Sequence, residues 1–586
     1  MANNRKIKFD IKPIKRINMY RMFLFYRGNM MTIKKISLLA LFFIAAGAFT
    51  FTSCEGICDG ENCNETENTS SAEESREFRI RFADPCAQDT IGEHSIARLG
   101  SLTIKIDDLA GNNIFQQSFT RNEISTEMKV SGIDDAENAI LTISGFDLDN
   151  PNEVRWQGRI TNLTFKKGET TSIDIVLYPL QGRSCLPDRL NIPRFGHVST
   201  LLPDGRILLT GGFIQASGKT WIAGKSVEII DVESGVIEQL ADMHEERAMH
   251  HVVPMPDGSV IIFGGVRQLR VENIDVEGYP ELPYSFHVQA TSVENYMPLY
   301  PKLNMRNNNI GMEIQNTTRT MALDKMPFLP NQSYAVDKSN PAKITAYLVG
   351  GMTGTASEGF KSSDKVYTFD IIDTGTEYTV SSVREIATGE KEPSLLSCAG
   401  IYQNSVFSVG GRRIEADHSG AIYSEQSVSN WGEEAPNLFY TACYTVGENL
   451  YSFGGLDIED EKIAEKRNPG YRYNIAQETH SSSGGGLMSY GGSLFFSDVV
   501  YHREKNHFVL LGGAGGENGI NNGNHLFQFV GINPFDLDRD RSYPLRFKRV
   551  LPRGVIDNDS RLFITGGTDS LNPDGIIVSV IEIDNL

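Results

Sequence analysis

Apolar and polar residues begin to alternate at Glu77, as Phe78-Arg79-Ile80-Arg81-Phe82, and the alternation returns at Leu102–Ile106, Ala139–Ile143, Val154–Ile160 and Thr171–Leu177. Gly, Asn and Asp separate these runs. A period of two with such breakers predicts half-buried strands, and residues 77–180 are expected to form a small antiparallel β-sandwich. Lys166-Lys167-Gly168-Glu169-Thr170 is the expected hairpin turn before the last strand.

From residue 181 the pattern changes to short continuous apolar runs, each closed by a glycine pair. Arg194-Phe195-Gly196-His197 precedes Pro203-Asp204-Gly205-Arg206-Ile207-Leu208-Leu209-Thr210-Gly211-Gly212. The same order returns 53 residues later in Arg247-Ala248-Met249-His250 and Pro256-Asp257-Gly258-Ser259-Val260-Ile261-Ile262-Phe263-Gly264-Gly265. Apolar runs also end at Gly350-Gly351, Gly410-Gly411, Gly454-Gly455, Gly512-Gly513 and Gly566-Gly567. Pro-Asp-Gly predicts a tight turn into the apolar strand, and the glycine pair predicts a strand end too crowded for side chains. Ser226–Asp231 and Lys365–Asp370 are expected third strands.

The seven pairs are spaced by 44 to 86 residues, which brackets the kelch period of about 50. Residues 181–586 thus resemble the kelch family of β-propellers, and residues 77–180 resemble the Ig-like or fibronectin-like spacers of surface lipoproteins. The fold class expected is all-β, a sandwich followed by a propeller of seven blades. Six or eight stay open because the 86-residue gap has room for a degenerate blade. Gly491-Gly492 and Gly515-Gly516 stand too close to Gly512-Gly513 to mark blades of their own. Val578–Asp584 reads as a third strand with no fourth after it, and Cys185–Pro193 is placed to supply the missing outer strand and latch the ring. Arg267–Ala290, Met352–Ser363, Leu456–Gly492 and Gly513–Asn524 follow glycine pairs, so they are expected as insertions at one rim.

The N-terminus carries a different signal. Residues 1–53 hold ten basic residues against Asp10 alone, and Lys34-Lys35 precede sixteen uncharged residues, Ile36 to Phe51. That run is short for a membrane span and fits a signal-peptide core. Phe51-Thr52-Ser53-Cys54 resembles the lipobox of bacterial lipoproteins, with Phe51 where leucine is usual. The resemblance implies cleavage before Cys54, a lipid on Cys54, and, with Glu55 next, sorting to the outer membrane, on either face. Met30-Met31 stands where an ordinary signal would start, so residues 1–29 are expected to be an over-called start. Residues 54–76 are acidic and read as an extended tether, in which Cys58 and Cys63 are placed to close a small disulfide loop. Its Asp59, Glu61, Asn64 and Glu65 lack the order of a calcium loop.

Charge sharpens this division. The whole chain is −19, but without residues 1–53 it holds 45 basic and 73 acidic residues, −28. So acidic a surface argues against nucleic acid as a partner. No nucleophile elbow, zinc-binding helix or phosphate loop occurs. Tyr501-His502, with Cys398 and Cys443 as thiols, touches on the copper-radical oxidases that resemble galactose oxidase. However, Tyr501 and His502 fall where kelch repeats place a strand and turn, and both cysteines fall mid-strand before their glycine pairs. His197, His250 and His251 occupy inner-strand positions and read as packed histidines rather than metal ligands. Asp536, Asp538 and Asp540 have calcium spacing, but Arg541 replaces the glycine and Phe547 the bidentate glutamate. No cofactor is expected. The sequence therefore points to a cell-envelope lipoprotein, held to the membrane by its lipid, whose propeller binds a protein or glycan at the loop rim without catalysis. The alternative is a sugar-acting kelch enzyme, similar to sialic-acid epimerases or galactose oxidase.

Overall fold

The computed structural model describes most of residues 75–585; outside it lie 1–74, 84–95, 298–316, 387–397, 410–420, 483–495, 514–527 and shorter stretches. Residues 1–70 separate from a single unit, 71–586. The unit is all-β, and its helical elements among the described residues are two short turns, Ile96–Arg98 and Arg121–Glu123.

The first region has strands β1 (Ser75–Phe82), β2 (Leu99–Asp107), β3 (Asn113–Thr120), β4 (Glu127–Ser131), β5 (Ala136–Asp147), β6 (Val154–Phe165) and β7 (Ser172–Pro179). They form one curled sheet in the order β3-β2-β5-β6-β7-β1-β4, with β1 and β7 parallel. This corrects the expected antiparallel sandwich. Alternation selects the face that is buried, but a sheet can cover that face by curling as well as by stacking on a second sheet. Inside the curl Phe78, Leu102, Ile104, Leu141, Ile143, Trp156 and Ile175 are buried together.

On β7 the alternation fails at Val176, because both of its faces are covered. Ile173, Ile175 and Leu177 belong to the curl's own core. Val176 and Tyr178 instead join Ile207, Leu209, Phe563 and Ile581 of the region that follows. Val176 N–H donates to Glu233 O at 2.7 Å, and Tyr178 stands edge-on to Phe563 at 6.1 Å. The curled sheet is thus built into its neighbour.

Among the described residues, seven of the antiparallel sheets that follow share one plan, four strands paired in chain order, except that the last takes its fourth strand from upstream. Sheet I comprises Val198–Leu201, Ile207–Thr210, Val227–Ile230 and Ile237–Leu240, and sheet II His251–Pro254, Val260–Phe263, Val293–Met297 and Thr317–Met321. Sheet III has Ser333–Asp337, Lys343–Val349, Val366–Asp373 and Tyr378–Val380, with Arg384–Ile386 also on its third strand. Sheet IV has Cys398–Tyr402, Ser405–Val409, Ala421–Tyr423 and Val428–Asn430, and sheet V Ala442–Val446, Asn449–Phe453, Tyr471–Asn474 and Thr479–Ser482. Sheet VI has Asp498–His502, His507–Leu511, Gln528–Ile532 and Arg539–Pro544. Sheet VII combines Arg553–Ile556, Arg561–Thr565 and Glu582–Asn585 with Gly182–Cys185 from far upstream.

In all seven sheets the four residues before the glycine pair are buried. A second strand covered on both faces by neighbouring sheets needs apolar side chains on both, which is why these runs do not alternate. The outer strand of sheet VII is Gly182–Cys185, which lies upstream of the expected Cys185–Pro193 and shares only Cys185 with it. Leu186 and Leu190 continue along the sheet by donating to Ile581 O and Ser579 O. The 86-residue gap holds no further sheet of this kind among the described residues; it holds a long hairpin, the outer half of sheet II and the first two strands of sheet III. Leu456–Gly492, expected as a rim insertion, contains the third and fourth strands of sheet V.

Candidate functional site

The glycine pairs govern how the sheets meet. Both residues of all six described pairs have positive φ, from +55° to +107°; Gly410 and Gly411 lie outside the described residues. A side chain on Gly211, Gly512 or Gly566 would strike the carbonyl of Arg247, Arg549 or Arg194, respectively, in the adjoining sheet. The second glycine donates its N–H to the same carbonyl: Gly212 to Arg247 at 2.9 Å, Gly513 to Arg549 at 2.9 Å and Gly567 to Arg194 at 3.0 Å. Sheet VII therefore meets sheet I as sheet I meets sheet II.

Each of these arginines is buried and paired. Arg194 reaches Glu228 at 2.6 Å, Arg247 reaches Glu294 at 2.7 Å and Arg549 reaches Glu582 at 3.0 Å. Each also donates through Nη1 to the first glycine carbonyl of its own sheet, 17 residues on: Gly211, Gly264 and Gly566. Each glutamate accepts a further backbone N–H three residues before its arginine, from Asn191, His244 and Arg546. A buried pair is tolerated when its remaining valences are filled in this way. The sequence pattern identified the first two arginines. Arg549 and the glutamates were missed, although Ser226-Val227-Glu228 and Ser292-Val293-Glu294 repeat and all three arginines stand 17 residues before a glycine pair.

The histidines belong to the same joints. His197 Nε2 lies 2.9 Å from Thr565 Oγ1 and His250 Nε2 lies 2.8 Å from Thr210 Oγ1, each across a sheet boundary. Burial, reinforced by the nearby arginines, holds both imidazoles well below their usual pKa, so they are neutral. His251 stacks on Tyr334 at 6.0 Å, and burial lowers it to about 4.

Two residues beyond each arginine the backbone turns left-handed, at Gly196, Met249 and Leu551, and Phe496 does the same at sheet VI. These residues form a chain of hydrogen bonds. Met249 N–H donates to Gly196 O at 2.6 Å, Gly196 to Leu551 O at 3.1 Å and Leu551 to Phe496 O at 3.0 Å. Bulky residues held at positive φ cost about 1–3 kcal/mol each, and this belt runs from sheet VI through VII and I to II. A second small sheet covers it, made of Phe213–Ser217, Thr220–Ala223, Val266–Val276 and Tyr279–Gln289. Phe213, Trp221 and Leu269 of this cap pack on Phe195, Phe496 and Leu551. The expected rim insertion Arg267–Ala290 is therefore mostly sheet, paired with a hairpin after Gly212. Met352–Ser363 forms its own hairpin, Met352–Thr355 with Gly359–Ser362, and residues 514–524 of the last expected insertion lie outside the described residues.

Beside the belt is a cavity of roughly 300 Å³, at the end of the sheets where the glycine pairs stand. Sheet III brings Ser333 and Tyr334 to it, sheet IV Cys398 and Ala399, and sheet V Thr441 and Cys443. Met249, Phe496 and Leu551 of the belt complete the apolar wall. On the far side Asp498 accepts from Arg553 Nη1 at 3.0 Å and from Gly554 N–H at 2.8 Å, while Arg553 Nε donates to His197 O at 2.8 Å. Cys398 and Cys443 are joined by a disulfide with Cα atoms 5.8 Å apart. Their pairing was not read from the sequence, because no spacing rule brings two first strands side by side.

The copper-radical parts do not come together. The thiols are bonded to each other, Tyr501 donates to Asn506, and His502 Nδ1 accepts from Lys505 N–H at 3.3 Å, which is a turn-capping role. Among the described residues no group of three or more His, Cys, Asp or Glu side chains is arranged to hold a metal. Asp540 lies on the strand Arg539–Pro544, whereas Asp536, Asp538, Cys54, Cys58 and Cys63 lie outside the described residues. No protein-family model matches the chain, and a search of curated proteins finds no similar sequence.

Proposed function

We propose that residues 181–586 are a kelch-type propeller of seven blades, that the chain is an outer-membrane lipoprotein anchored through Cys54, and that its cavity end binds a protein or glycan without catalysis. Closure as a ring is supported by Gly567 docking on Arg194 as Gly212 docks on Arg247, and by Gly182–Cys185 pairing with Glu582–Asn585. The observation that carries the binding reading is that cap and cavity share the end from which the post-glycine insertions emerge. Rigid sheets hold that end, and the elements added to it differ from blade to blade, as in recognition surfaces.

The test uses the purified full chain on immobilised glycans and on separated envelope proteins. Retention that is lost when residues 271–284 are replaced by Gly-Ser, or when Ala399→Phe fills the cavity, with an unchanged melting temperature, supports the reading. Retention indifferent to both changes, or turnover of a retained glycan, overturns it. Labelling cells with radioactive palmitate tests the anchor, and label persisting in Cys54→Ala overturns that part.

A further inference from the structure

We infer that the Cys398–Cys443 disulfide is a thiol-exchange site whose substrate is a small dithiol admitted by the cavity. The disulfide links the first strands of sheets IV and V and lines a space of roughly 300 Å³, the volume of a small-ligand site. Its two sulfurs are not equivalent. Cys398 is 2% exposed, whereas Cys443 is half-buried. The Thr441 hydroxyl stands 2.9 Å from Cys398 Sγ and 3.2 Å from Cys443 Sγ. Attack on a disulfide is governed by access to one sulfur and stabilisation of the other as it leaves. Cys443 is the more exposed residue of the two, and Cys398 carries the sulfur that the hydroxyl serves more closely.

A thiolate of the dithiol attacks Cys443 Sγ. The S–S bond breaks, its electron pair leaves on Cys398 Sγ, and Thr441 donates a hydrogen bond to that thiolate. The second thiolate of the same molecule then attacks its own sulfur in the mixed disulfide and releases Cys443 as a thiolate. The dithiol is oxidised to a cyclic disulfide, the protein cystine is reduced by two electrons, and the two protons lost by the dithiol end on Cys398 and Cys443. The molecule supplies its own control. Cys185 is also disulfide-bonded, and it is 3% exposed with Leu186 of the same segment packed in an apolar core.

The experiment treats the folded full chain with dithiothreitol and follows each disulfide by differential alkylation and peptide mass spectrometry. Cys398–Cys443 should open about tenfold faster than the Cys185 disulfide, and a protein dithiol such as thioredoxin, too bulky for the cavity, should not open it. Thr441→Val should slow opening about ten- to a hundredfold, the worth of one hydrogen bond to a charged sulfur, with the melting temperature unchanged, and Thr441→Ser should restore it. In single-thiol variants, Cys398→Ser should form a mixed disulfide through Cys443 with 2-hydroxyethyl disulfide faster than Cys443→Ser does through Cys398. Equal rates for the two disulfides, opening only on unfolding, equal opening by thioredoxin, indifference to Thr441→Val, or the reverse order in the single-thiol variants would each overturn the inference.

Discussion

Between sheets VII, I and II the joints are polar and fully buried. An arginine side chain crosses to its own glycine carbonyl and glutamate, its backbone carbonyl receives the neighbouring glycine pair, and at VII–I and I–II a neutral histidine meets a threonine. Between sheets IV and V the leading strands are joined by a disulfide, and among the described residues the shared core includes Cys398, Phe407 and Leu450. The core around sheets VII, I and II includes the cap. One repeating frame thus closes its joints with two chemistries. Directional hydrogen bonds need every partner in place, so they accompany a dense core and the strained belt. A covalent bond needs only two side chains, so it can tie the wall of a cavity.

The comparison can be broken from the polar side first. Deleting residues 181–193 removes Gly182–Cys185 and leaves the third strand of sheet VII unpaired; the melting temperature should fall further than for any point substitution described here, and an unchanged melt would refute the latch. Arg247→Met leaves Glu294 as an unpaired buried charge and should cost about 3–5 kcal/mol in denaturant unfolding. Adding Glu294→Leu should recover most of that loss, because the burden lies in the orphaned carboxylate. On the covalent side, replacing both Cys398 and Cys443 by serine should cost about 2–4 kcal/mol, and hydrogen exchange should rise in sheets IV and V while sheets I and II stay protected. Gly211→Ala forces a side chain into left-handed backbone against the Arg247 carbonyl, for which about 1–3 kcal/mol of strain is expected.

Acid should separate the two regions most gently. His197, His250 and His251 have folded pKa values below the ordinary 6.5, and all three stand on sheets I and II. Between their folded and unfolded values the unfolded chain binds more protons, so stability is fully present above about pH 6.5 and declines as pH falls toward 4. Unfolding followed from pH 7 to 5 should show this loss, and hydrogen exchange should rise first in sheets I and II. Uniform loss across the molecule would remove the histidine explanation.

The glycine pairs, the Pro-Asp-Gly turns and the unbroken apolar runs were legible because each reports a local demand: positive φ, a tight turn, a strand covered on both faces. Arg194 and Arg247 were legible for their spacing, but their purpose was not, because Glu228 and Glu294 lie 34 and 47 residues away along the chain. Thr171–Leu177 was read as plain alternation, and the second buried face of β7, formed by Val176 and Tyr178, emerged only with the strands that cover it. The cap was read as rim loops because two hairpins pair only once neighbouring sheets hold them side by side.

The order of elements, the all-β class, the repeating frame and the acidic character of residues 54–586 follow from the amino-acid sequence, since each rests on contacts within a few residues or on composition. The curl of the first sheet, its shared core with the seven that follow, the Arg–Glu joints, the belt, the cavity and the Cys398–Cys443 bond were decided by the tertiary structure. They depend on which distant strands become neighbours, and that is set by the packing of whole sheets rather than by any residue's local preference.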